Sequence, residues 1–232
     1  MSKTPSLILA LFAGAALVSC APADDTPPAT ETAAGAVTEE LPELEPAPEG
    51  ATTFTVAPSG NEVRYRVREQ LAGFDFPNDA IGKTTGVTGQ IVIDDDGRVV
   101  SDASRFVVEA ATITSDRDRR DNYLRRRTLT VDQHPTIVLV PTELRGLAIP
   151  SGAGSDTFQI VGDLTVRGVT RPTTWNATAQ FQNGRVTGSA VTRFTFPDFQ
   201  MEKPRVRSVL SVADTIALEY DFNLVREEGT AP

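Results

Sequence analysis

Nucleophilic or acid–base catalysis needs an activated side chain beside a partner, and this chain has one histidine, His134, and one cysteine, Cys20. His134 directly precedes Pro135 where a loop passes into a strand, a setting in which a histidine more often packs or hydrogen-bonds than acts as a base. A hydrolase would need His134 as that base, so it is the rival reading from another class. Cys20 belongs to a leader-like stretch, which leaves the folded part without a disulfide, a thiolate metal site or a cysteine nucleophile. Asp94-Asp95-Asp96-Gly97 resembles the start of a calcium loop, but the spaced ligands and the closing glutamate are missing. It reads as a polar hairpin turn. With scattered carboxylates and a single histidine, neither a metal nor a cofactor is expected. Arg120, Asp121 and Arg193 form a candidate buried polar cluster, read as a clamp between a helix and the rest of the fold.

The elements that must position these groups are strands. Phe158, Ile160, Leu164 and Val166 alternate with Gln159, Val161, Asp163 and Thr165, mostly the period-2 pattern of a half-buried strand, and beyond Arg167-Gly168 the residues Trp175, Ala177, Ala179 and Phe181 share one parity. Two half-buried strands leaving one tight corner make a hairpin, with Gly168 supplying backbone freedom and Pro172 suited to an edge or a strand start. Asn183-Gly184 is a second hairpin signal. Further strands are predicted over Phe54–Val56, Glu62–Val67, Val87–Ile93, Ala103–Ala110, Thr136–Thr142, Arg185–Phe194 and Thr215–Val225, the last with Ile216, Leu218, Tyr220, Phe222 and Leu224 on one face. One segment departs from this pattern. Ser115 and Asp118 fit a capping box and Arg125, Arg126 and Arg127 fit a helix end, predicting a short helix over 117–128. Its arginines would serve either as an anionic-lipid surface or as a solvated helix face paired to its own aspartates.

The front of the chain reads differently. Lys3, an apolar run from Leu7 to Val18 and Leu17-Val18-Ser19-Cys20 have the order of a signal peptide, too short to span a bilayer. The ending resembles a bacterial lipoprotein signal, in which Cys20 becomes the lipidated first residue. Ala21 follows it in place of an aspartate, which points to the outer membrane. The expectation is a signal peptide over 1–19, a lipidated Cys20 with a disordered tether over 20–51, a folded domain over 52–227 and a tail over 228–232. The tether is rich in Ala, Pro and Thr and carries eight acidic residues and no basic one. The whole chain has a net charge of −9, yet residues 51–232 hold 21 basic against 23 acidic side chains. Such a domain gives no reason to expect nucleic acid as partner.

Three stretches carry a family resemblance: Arg120-Asp121-Asn122-Tyr123-Leu124 through Val131-Asp132-Gln133-His134-Pro135-Thr136-Ile137; Gly162-Asp163-Leu164-Thr165-Val166-Arg167-Gly168-Val169-Thr170-Arg171-Pro172; and Thr192-Arg193-Phe194 with the later Val212-Ala213-Asp214-Thr215-Ile216. They resemble the YceI-like family of bacterial envelope proteins. His134 stands where that family usually has tyrosine, and 73–85 matches least. The resemblance implies an all-β, antiparallel, lipocalin-like barrel of about eight strands with one short helix. It also implies a long polyisoprenoid or isoprenoid quinone held inside, for storage or transfer rather than conversion. On parity, the ligand-binding side chains are Phe158, Leu164, Trp175, Phe181 and Phe194 with Ile216, Leu218 and Phe222. Small residues of inward parity, Ala177, Ala179, Gly188 and Ala190, either leave room for the ligand or are filled by large neighbours. The second possibility is the alternative function, an envelope scaffold with a filled barrel that binds a protein partner.

Overall fold

The computed structural model describes residues 41–147 and 153–227. The expected signal peptide, Cys20, the tether as far as residue 40 and the tail 228–232 lie outside the described residues. The strands are β1 (Thr52–Val56), β2 (Glu62–Leu71), β3 (Asn78–Thr84), β4 (Val87–Ile93), β5 (Arg105–Glu109), β6 (Thr114–Ser115), β7 (Thr136–Arg145), β8 (Gly154–Val166), β9 (Val169–Gln182), β10 (Arg185–Thr195) and β11 (Val209–Arg226). Every ladder is antiparallel, and β1-β4-β5-β7-β8-β9-β10-β11 closes on β1 as an eight-stave barrel. β2, β3 and β6 prolong the staves of β1, β4 and β5 past a break in each.

The first break is bridged by one side chain. The chain leaves the sheet at Ala57 and returns at Asn61, whose buried amide donates to the carbonyls of Ala57 (2.8 Å) and Asn223 (3.2 Å). Its Oδ1 accepts from the Asn223 backbone N–H and the Tyr220 hydroxyl, both at 2.9 Å. Backbone groups that a continuous ladder would pair are thus satisfied inside the wall. The β8–β9 corner has Arg167 and Gly168 both at positive φ, as do Asn183 and Gly184 at the β9–β10 corner. Both are the turns that match strand twist in two-residue hairpins. Pro172 pairs with Asp163 on β8, while the β9–β10 ladder runs only over Asn176–Gln182. Its missing donor therefore costs no ladder bond.

No ladder joins β6 to β7. There the chain folds into α1 (Asp118–Tyr123) and a wider π-type turn over Leu124–Thr128, within the predicted span. The capping box is not formed. Arg117 is the N-cap without a side-chain bond, and Ser115 donates its N–H (3.0 Å) and hydroxyl (2.6 Å) to Asp121. Ser115 stands two residues before the N-cap Arg117, within reach of the buried Asp121 in the helix. Arg125 donates to the carbonyls of Ala111 and Ile113 (both 3.0 Å). A reciprocal capping box exists elsewhere, between Thr195 and Asp198. It starts the turn that places Phe196 and Phe199 in the core, so the aromatics of 196–201 form a packed rim rather than an exposed flap.

Within the expected tether, residues 42–50 lie against the β4–β5 connection and the start of β5. The Glu45 N–H donates to the Asp102 carbonyl (3.0 Å), and Arg105 donates to the Pro42 carbonyl (2.5 Å).

Candidate functional site

The barrel interior has two levels. Toward the β9–β10 turn it is filled: Phe158, Ala177, Ala179, Val186, Ala190 and Phe222 are all buried. A Cβ at Gly188 would lie 2.7 Å from the Phe222 ring, which shows where the space left by the small residues goes. Toward the β8–β9 turn the barrel is hollow, with a cavity of about 840 Å³. The Phe106 and Tyr220 rings meet edge to face at 6.0 Å and form its floor. Its walls take Val63, Tyr65 and Val67 from β2, Leu164 and Val166 from β8, and Ile216 and Leu218 from β11. β3 supplies small wall residues, Ala80 and Gly82. The Tyr65 ring lies on Gly82, where a Cβ would come within 2.3 Å of it. Volume in this half thus comes from the short staves, where wall residues are small and the sheet gives way to the helix.

The rim is polar. Glu69, at inward parity on β2, is buried and accepts from Arg120 at 2.6 Å; the Arg120 side chain is 16% exposed. Arg120 also donates to Asp116 and Ser115. The Arg120 guanidinium is held above its usual range by Asp116 and Glu69 against the opposing cost of burial. Burial pushes the Tyr65 phenol up to about 12 and raises Tyr220 too. A phenol with a raised folded-state pKa keeps its proton where the unfolded chain has lost it, so stability falls as pH climbs from 10 towards about 12. Thermal melts across that window are expected to drop, and less steeply for Tyr65→Phe. Identical slopes in parent and variant would contradict the burial of this hydroxyl. Among the described residues, no group of three or more His, Cys, Asp or Glu is arranged to hold a metal ion.

The sequence model of the YceI-like domain matches residues 54–224. The chain belongs to the YceI-like family. No curated protein sequence matches it. Among solved structures, the YceI-like barrel resembles a polyisoprenoid binding domain from Saccharophagus degradans implicated in plant cell wall breakdown. That likeness has a TM-score of 0.59 and 10% identity over 75% of this chain and 98% of the other. BcnA of Burkholderia cenocepacia is similar at TM-score 0.53 and 16% identity, over 73% and 98%. These likenesses establish the fold.

Within this YceI-like barrel, the eight apolar residues singled out on parity separate by level. Leu164, Trp175, Phe194, Ile216 and Leu218 line the cavity. Phe158, Phe181 and Phe222 do not; they pack in or against the core of the filled half. Parity tells inward from outward but says nothing of height along the barrel. The clamp is also partly redrawn. Arg120 and Asp121 hold α1 to the wall as described, whereas Arg193 is exposed on the outer side of β10 and pairs across the ladder with Ala217. Its place in the cluster is taken by Glu69. A Cβ at Gly168 would lie 2.8 Å from the His134 ring, so His134 packs on the β8–β9 corner.

Proposed function

We propose that this protein binds, stores or transfers a long-chain hydrophobic ligand, a polyisoprenoid or an isoprenoid quinone, inside the hollow half of its barrel. The observation that carries this reading is an apolar cavity of about 840 Å³ closed at one end by Phe106 and Tyr220 and opening at the other through a polar rim. Burying a hydrocarbon chain contributes about 0.8 kcal/mol per CH2, so affinity needs no polar contact. Tyr65, Glu69 and Arg120 stand where the head of an amphiphile would lie. The domain similar in fold from Saccharophagus degradans is described as polyisoprenoid binding, which supports the choice of ligand class. Binding without conversion is favoured because His134, the one histidine of the chain, packs on Gly168 and does not line the cavity. The filled-barrel scaffold describes only the half around Phe158 and Phe222. The site of action in this proposal is the bacterial envelope, with the chain held by lipid on Cys20 at the outer membrane and facing the periplasm.

The test is mass spectrometry of lipids extracted from protein made in a bacterial periplasm and purified without detergent. One stoichiometric isoprenoid or quinone is the expected result. A protein free of lipid, which also takes up none when offered a series of long-chain isoprenoids, would end this reading.

A further inference from the structure

Four large apolar side chains are conspicuously exposed among the described residues: Phe74 (58%), Phe76 (81%), Val206 (38%) and Leu210 (66%). They lie at one end of the barrel. Phe74 and Phe76 are in the β2–β3 connection, tied by the Ala72 N–H to the Ser208 carbonyl (3.0 Å), and Val206 and Leu210 flank that tie. It is also the end at which the cavity opens. Val206, Arg207 and Ser208 on one side and Arg117 and Arg119 on the other line the cavity while being exposed to solvent. A cluster of exposed apolar groups around the mouth of an apolar cavity marks an interaction surface rather than chance exposure.

Charge says what kind of surface it meets. The connections at this end (72–77, 116–135, 167–168 and 196–208) carry ten basic against seven acidic side chains. At the opposite end, 41–51 and 94–104 carry seven acidic side chains and one basic, Arg98. On the barrel side, Arg64, Arg66 and Arg68 are engaged by Glu219, Asp221 and Asp79. At the mouth, Arg119, Arg205 and Arg207 have no ion-pair partner among the described residues, while the exposed acids of these connections are Asp75, Asp116, Asp118, Asp132, Asp198 and Glu202, of which Asp116 is already paired with Arg120. Exposed aromatic and aliphatic tips ringed by unengaged arginines suit the headgroup boundary of an anionic bilayer, where the tips enter the acyl edge and the guanidiniums stay with phosphate.

We infer that the open end of the barrel docks on a membrane surface bearing anionic headgroups, seating Phe74, Phe76, Val206 and Leu210 in the interface so that a lipid passes between bilayer and cavity without crossing water. This rests on the lipid-binding reading above. The docked face is the end with the basic excess, and the end with the acidic excess points away from the membrane.

The test uses the full chain with Cys20→Ser, so that any affinity of the leading apolar run is common to parent and variants. Binding is measured to phosphatidylcholine vesicles with and without phosphatidylglycerol. The parent is expected to bind the anionic vesicles at least ~10-fold more tightly, with loss of most of that preference in Arg119→Gln/Arg205→Gln/Arg207→Gln and in high salt. Phe74→Ser/Phe76→Ser/Leu210→Ser is expected to weaken binding to both vesicles by ~10-fold or more. All six positions are exposed, so neither variant is expected to disturb folding. Equal binding by parent and both variants overturns the proposal. So does a parent that dimerises without vesicles and a serine variant that does not, since the patch would then serve a second copy. Lipid carried in the cavity is measured separately: vesicle docking with an empty cavity would sink the carrier reading and leave docking standing.

Discussion

Replacing Ala80 by tryptophan is expected to empty the barrel while leaving its melting temperature close to that of the parent. Ala80 faces inward from β3 and gives the cavity wall a single methyl group. An indole there grows into open volume rather than into packed neighbours, so the usual overpacking cost of about 1–3 kcal/mol is largely avoided. Displacing even four methylenes of a bound chain removes roughly 3 kcal/mol, or about 100-fold in affinity. The comparison is lipid content per protein by mass spectrometry, with a thermal melt of the same sample. Unchanged lipid stoichiometry in the variant would place the ligand elsewhere, whatever the melt. A matching substitution at Ala177, in the filled half, has no such space to enter and is expected to damage stability first.

The second large effect concerns the rim. In Arg120→Ala the Glu69 carboxylate stays buried with only the Asn78 amide, at 3.4 Å, to receive. Leaving one partner of a buried pair uncompensated costs about 3–5 kcal/mol. Denaturant unfolding is therefore expected to show a loss of that size, and Glu69→Leu in the same chain is expected to restore much of it. Glu69→Leu alone should be milder, since Arg120 keeps Asp116 and Ser115 and can reach solvent. If the double variant were as unstable as Arg120→Ala, the guanidinium would matter through its packing and not through the pair.

The contrast between these two residues also shows what the sequence carried. The barrel and its staves were legible because Val63, Tyr65, Val67 and the β8, β9 and β11 runs alternate cleanly, and the family likeness lies on the same stretches. Glu69 was missed because a charged residue ends an apolar run by inspection. Yet the same period continues through it to the buried Leu71, and that was the available signal. β3 was missed for a chemical reason: Asn78-Asp79-Ala80-Ile81-Gly82-Lys83-Thr84 is poor in strand formers, and its strand state comes from pairing with β2. Those small residues make room for the cavity, so the part of the wall that matters most for a ligand had the weakest local pattern. Phe158, Phe181 and Phe222 show the converse. Their pattern was strong, but periodicity cannot rank positions along a cylinder.

The closing stave has a bearing on how the chain reaches this state. β11 bonds to β10 on one side and to β1 and β2 on the other, with Phe54 opposite Arg226. Contacts between strands so far apart in sequence are entropically expensive to nucleate, and barrels dominated by them fold on the order of milliseconds to seconds. A growing polypeptide can form the β8–β9–β10 meander early, but it holds two bare sheet edges until residues 209–226 arrive. The hollow is thus sealed by the last stave made, and any ligand that enters during synthesis meets a trough before it meets a barrel.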